Sequence, residues 1–207
     1  MVTIAVEEVE RRLDELFIAA EGASLRKEDR RKAIEIAALL SEVAMAIDRL
    51  SKRSPITLVD AAAGKSYLGL LAAKLILEPL QRQSKVITIE RDPRRAALSR
   101  RAADAIKTTV PIVCHTADVE EEDCWPARPV IVAGLHACGA ASDEIISQAI
   151  AHNARFLLLV PCCTGKSVAA SSRAAEAAKR LAIPRHAPVR RRFIQAWVDA
   201  ERTWRLE

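Results

Sequence analysis

Val6, Val9, Leu13, Leu16 and Phe17 fall on one stripe of a helix, with Glu7, Glu8, Glu10, Arg11 and Arg12 largely opposite, the pattern of an amphipathic helix. Gly22 and Ser24 interrupt it. Ala33, Ile36, Ala37, Leu40, Val43, Ala44, Ile47 and Leu50 then recur at the same spacing, which predicts a long helix over residues 27–51 that Pro55 closes. Beyond it the period changes. Apolar runs at 56–59, 85–90, 110–115, 129–135 and 156–160 alternate with helical stretches at 68–78, 92–105, 142–152 and 167–181. Continuous apolar runs belong to strands covered on both faces, and their alternation with helices is the order of a parallel α/β sheet. Residues 192–198 and 203–206 predict a closing antiparallel hairpin around 199–202. The expected fold is therefore a doubly wound, mostly parallel seven-stranded sheet with helices on both faces. Residues 1–54 form an N-terminal helical extension and 55–207 one compact unit.

The composition agrees with one helix-rich domain. Half of the 207 residues are hydrophobic and only 3% are aromatic, which favours small-residue packing and leaves little material for a base-stacking surface. Five cysteines, without the paired spacings of a zinc ribbon, point to reduced thiols and a cytoplasmic location. The apolar stretches are too short to span a bilayer, and the first twelve residues lack a signal-peptide profile. The net charge of +5 matters through its clustering at 26–32, 91–101 and 185–192. These groups are either solvated helix faces or patches for RNA or another acidic partner.

The candidate chemistry gathers where the first strand ends, in Asp60-Ala61-Ala62-Ala63-Gly64-Lys65-Ser66-Tyr67. Small residues between a strand and a helix let a ligand approach the backbone, and the helix start offers free N–H groups. Residues 59–66 nearly fit the phosphate loop of an NTPase, but Val59 stands at its leading glycine and strand four ends without a magnesium-binding Asp. The same turn resembles the D-x-G-x-G-K-G-Y turn of class I S-adenosylmethionine-dependent methyltransferases at Asp60, Gly64, Lys65 and Tyr67. Ala62 and Ser66 replace two of its glycines. If Ala62 takes a positive φ, the substitution costs on the order of 1 kcal/mol.

Two further motifs sharpen the resemblance. Leu135-His136-Ala137-Cys138-Gly139 follows the fourth strand and Pro161-Cys162-Cys163 the fifth. With the GKGY-like turn, the LHxCG and PCC motifs resemble a branch of these Rossmann-like enzymes that includes methyltransferase-like proteins and is similar to tRNA ribose 2′-O-methyltransferases. The resemblance implies S-adenosylmethionine as cofactor, bound around Asp60, Ala62, Gly64, Lys65, Tyr67 and Leu135. Glu90 would take the ribose hydroxyls and Asp118 the adenine amino group. The chain lacks the D/N-P-P-Y motif often carried by methylases of exocyclic amines. For a hydroxyl acceptor a base is needed, and His136 is the best-placed residue.

The implied acceptor is RNA, held by the basic patches, or a protein. A second reading keeps the fold as a non-catalytic binding module. His136 with Cys138, Cys162 and Cys163 also suggests a zinc site, but adjacent cysteines rarely share an ion, and no metal is expected.

Overall fold

The computed structural model describes residues 3–161, 168–186 and 188–207. Two helices precede the sheet, α1 (Val6–Leu13), prolonged by a π turn over Asp14–Ile18, and α2 (Lys27–Asp48). Then come β1 (Ile56–Ala61), α3 (Tyr67–Ala72), β2 (Ser84–Ile89), α4 (Pro93–Ala105) and β3 (Ile112–His115). β4 (Ile131–Leu135), α5 (Ala140–Ala151), β5 (Phe156–Val160), α6 (Ala169–Arg180) and α7 (Pro188–Trp204) complete the order.

The strands lie in the order β3-β2-β1-β4-β5, and every pair is parallel. The order reverses between β1 and β4, and in such sheets that switch point opens a crevice at the carboxyl ends of the strands. Side chains alternate across the sheet. Leu58, Val86 and Ile131 join Val9, Leu13, Phe17, Ile36, Leu40 and Val43 in one core, so the N-terminal helices cover that face. Val59, Ile87 and Val132 turn to the other face and pack with Ile145 and Ala149 of α5 and with Trp125.

Two expectations change. The described residues contain five strands, not seven, and the expected hairpin is the single helix α7. The apolar residues Phe193, Ile194, Trp197 and Val198 also fit a helical stripe. Tertiary contact selects it: Val198 is buried against Val168 and Ala170 of the α6 region. Gln195 bonds Asp199 one turn on, and Trp197 Nε1 donates to Glu201, which also pairs with Arg173 of α6. As a consequence β5 is a sheet edge, half-buried along most of its length and not covered on both faces as its apolar sequence suggested. Among the described residues no helix is long and apolar enough to cross a membrane.

Helix α7 is also tied to the loop after β4. Arg202 is buried; its Nε donates to Asp143 Oδ1 at 2.9 Å and its Nη2 to the Gly139 carbonyl at 3.1 Å. Removing one partner of a buried ion pair strands the other. Arg202→Ala is therefore expected to lower stability by about 2–4 kcal/mol in urea unfolding. In an Asp143→Ala background the same change should cost less, because the pair is then already broken.

Candidate active site

The turn between β1 and α3 is built on left-handed backbone. Ala62, Gly64 and Ser66 have φ of 53°, 60° and 59°, so both residues standing at glycine positions of the motif adopt the conformation that favours glycine. Ser66 is fully buried, and its hydroxyl accepts a hydrogen bond at 2.6 Å from Ser99 of α4. That bond is unavailable to glycine and offsets part of the strain. The full burial of Ser66, away from both cavities of the crevice, does not suit the role of a phosphate-loop magnesium ligand.

Two carboxylates hold the turn. Asp60 Oδ2 accepts the Gly69 N–H at 2.8 Å, fastening the first turn of α3 to the end of β1. The approach is close: a Cβ on Gly69 would sit 3.0 Å from Asp60 Cβ and 3.2 Å from Thr88 Cγ2. Glu90, just past β2, accepts the Gly64 N–H on one oxygen at 2.6 Å and the Asp92 N–H on the other at 2.8 Å. Each carboxylate oxygen has two lone pairs, so Glu90 retains acceptor capacity for ribose hydroxyls while it joins two strand-end turns.

Two adjoining cavities, about 340 and 240 Å³, occupy the crevice. The first is walled by Asp60, Ala62, Gly64, Lys65, Tyr67 and Leu135, together with Lys32 of α2. Glu90, Asp118 and Ala117 wall the second, with Arg91 and Cys138. Ala62, Arg95 and His136 border both. The structure thus brings together all nine residues singled out from the sequence. Asp118 Oδ2 lies 3.4 Å from Arg91 Nη1. Tyr67 packs edge-on against Phe17, with Lys32 Nζ 5.0 Å from its ring centre.

His136 also takes left-handed backbone, φ 60°. Its N–H donates to the Val160 carbonyl, which ties the end of β4 to the end of β5, and its ring Nε2 lies 2.8 Å from Glu35 Oε2 of α2. Lys32, Glu35 and Arg95 were not singled out for the cofactor site. Lys32 and Arg95 belong to the basic clusters at 26–32 and 91–101, while Glu35 sits on a helix whose pattern reports only its buried face. In the third cluster, 185–192, Arg190 donates to the Ile183 and Ala175 carbonyls and so serves packing of α6 on α7.

Cys114 and Cys124 are free thiols, but Cys138 is disulfide-bonded, contrary to the expectation of reduced thiols throughout. Cys162 and Cys163 of the PCC motif lie outside the described residues. Among the described residues no cluster of three His, Cys, Asp or Glu side chains is arranged to hold a metal ion.

Burial pushes the Asp60 carboxyl up from 3.8 to about 7; the Gly69 N–H opposes the rise and the charge of Glu90 adds to it. Between those values the folded chain holds a proton that the unfolded chain has released. Stability should therefore fall as pH rises from about 4 to 7, by roughly 1.4 kcal/mol per unit, and flatten above. Asp60→Asn should remove this dependence in urea melts across that range. Ala62→Gly relieves the positive φ and should raise stability by about 0.5–1 kcal/mol in the same assay.

The sequence matches the model of the family described as "Methyltransferase domain" over residues 31–170, a span that begins within α2. No curated protein matches the sequence. Among solved structures, magnesium protoporphyrin IX methyltransferase of Synechocystis PCC 6803 with bound S-adenosylhomocysteine aligns at 10% identity and a TM-score of 0.47. The alignment covers 69% of this chain and 67% of that one. A putative S-adenosylmethionine-dependent methyltransferase of Listeria monocytogenes aligns at 23% identity and a TM-score of 0.37, over 58% of this chain and 53% of that one. The plantazolicin methyltransferase BpumL aligns at 11% and 0.39, over 92% and 69%. With the family match spanning more than half of its residues, the chain belongs to the methyltransferase-domain family and is an S-adenosylmethionine-dependent methyltransferase.

Proposed function

We propose that this enzyme methylates a hydroxyl oxygen of RNA, with His136 taking the proton that the oxygen sheds. The observation that carries the reading is the position of His136 on the border of both cavities. The residues fit the cofactor. The second cavity offers Glu90 and Asp118 to an adenosine, and the first offers the small-residue turn of Ala62 and Gly64, which a ligand can approach closely, to the amino-acid end. S-adenosylmethionine, when bound, supplies a methyl group on a sulfonium, and the sulfur leaves as a neutral thioether with the C–S electron pair. What the chain must add is alignment of the acceptor and removal of its proton. An imidazole suits the second task near neutral pH.

RNA is favoured over a protein acceptor by the cations around the opening. Lys32 and Arg95 border the first cavity and Arg91 the second, while Arg94 and Arg101 are exposed on α4. Such groups contact phosphates through charge, which steers and orients a nucleic acid without reading its bases. An S-adenosylmethionine-dependent methyltransferase of this kind also fits the LHxCG and GKGY-like motifs of the 2′-O-methylating branch.

Methyl transfer from labelled S-adenosylmethionine to unmodified tRNA transcripts tests the reading. His136→Ala should lower turnover by about 10² to 10⁴ while calorimetry shows unchanged S-adenosylmethionine affinity. The log of RNA affinity should fall linearly with log salt, and reversing the charges of Lys32 and Arg95 should flatten that slope. Full turnover in His136→Ala would remove the base from the mechanism; a slope near zero would shift the acceptor to a protein.

A further inference from the structure

Helix α2 carries a side chain into the site that the motif turns do not account for. Glu35 meets His136 across 101 residues of sequence, Oε2 to Nε2 at 2.8 Å. Lys32, one turn earlier on the same face, borders the first cavity beside Tyr67. The helix that delivers both is anchored, because Ile36, Leu40 and Val43 are fully buried in the core under the sheet. The backbone that carries the imidazole is held as well. His136 has its backbone N–H on Val160, and the next residues lead into α5, whose start Arg202 grips.

A carboxylate only accepts hydrogen bonds. Facing Glu35, Nε2 must therefore carry the ring hydrogen and donate it, which leaves the lone pair on Nδ1. When Nδ1 takes a proton from an acceptor hydroxyl, the imidazolium forms beside a negative charge, and the carboxylate stabilises it as the buried acid behind a catalytic histidine does in a hydrolase triad. The pair is a poor candidate for a structural pin. The side chains are 37% and 38% exposed, and ion pairs that open to water contribute at most about 1 kcal/mol to stability. Arg31 stands 3.9 Å from the other Glu35 oxygen, too far to compete for Oε2.

We infer that Glu35 is a positioning residue of the transfer reaction: it fixes the His136 tautomer with Nδ1 free to receive the acceptor proton, so α2 completes the catalytic apparatus. The inference rests on the reading of His136 as the base. It assigns α2 a part in catalysis besides packing, and it requires an acceptor that must lose a proton.

The test joins a measurement that needs no acceptor to one that does. In the full-length protein labelled with ¹⁵N-histidine, ring ¹⁵N correlation spectra recorded where the imidazole is neutral should show the Nε2–H tautomer of His136 alone. Glu35→Ala should show a mixture. On unmodified tRNA transcripts, Glu35→Ala should lower kcat about tenfold or more, with KM for S-adenosylmethionine and Tm unchanged. Glu35→Asp should restore part of the rate, and Glu35→Ala should cost nothing further in a His136→Ala background. Equal tautomer populations in wild type and Glu35→Ala would overturn the inference. So would a normal rate in Glu35→Ala when His136→Ala is slow, with the base reading left standing. A loss of Tm without a change of tautomer would make Glu35 a structural pin. Full turnover in His136→Ala would overturn both readings, and transcripts that accept no methyl would count against the RNA acceptor alone, since the tautomer still decides the role of Glu35.

Discussion

The two hydrogen bonds that Glu90 accepts hold the working end of this sheet together. One comes from Gly64 in the turn after β1 and the other from Asp92 in the turn after β2. Parallel strands pair through their backbones, but the loops beyond them have no such ladder and need side chains to fix them. A single carboxylate at the end of β2 serves two of these loops and leaves lone pairs toward the crevice. It also places negative charge near Asp60, which burial already makes hard to ionise. Glu90 thus ties the two turns together and adds to the burial that keeps Asp60 protonated.

Around that floor the chain tolerates backbone strain that glycine would avoid. Ala62, Ser66 and His136 all take left-handed φ at the carboxyl ends of strands, and each such residue costs of order 1 kcal/mol or more unless its surroundings compensate. Ser66 has a visible compensation in Ser99. His136 has its N–H on the Val160 carbonyl. Among the described residues Ala62 has no comparable bond to a side chain, and it borders both cavities. Two of the three strained residues, Ala62 and His136, border both cavities, so strain and crevice largely coincide.

The helices outside the repeating strand-helix units matter as much as the sheet. Helix α2 buries one face in the core and presents Lys32 at the crevice and Glu35 to the His136 ring, while α7 packs on α6 and reaches the loop after β4 through Arg202. The two helices reach the His136 segment from opposite sides in the chain order, α2 meeting the imidazole through Glu35 and α7 holding the Gly139 carbonyl. Both contacts are charge-assisted, and both link elements far apart in sequence.

The sequence by itself determined what depends on neighbours along the chain. Apolar runs marked the five parallel strands, and Asp60, Gly64 and Glu90 were legible because a strand-end carboxylate and a small-residue turn have local signatures. The cost of Ala62 was also foreseeable, since φ preference is a property of the residue. Only tertiary structure decided the rest. The segment 192–198 satisfies both a helical and an alternating pattern, and the alanine face of α6 settled it by burying Val198. Glu35 was invisible for a related reason. It lies on the exposed side of an amphipathic helix, where polar residues are interchangeable until packing of the opposite face sets which of them meets His136.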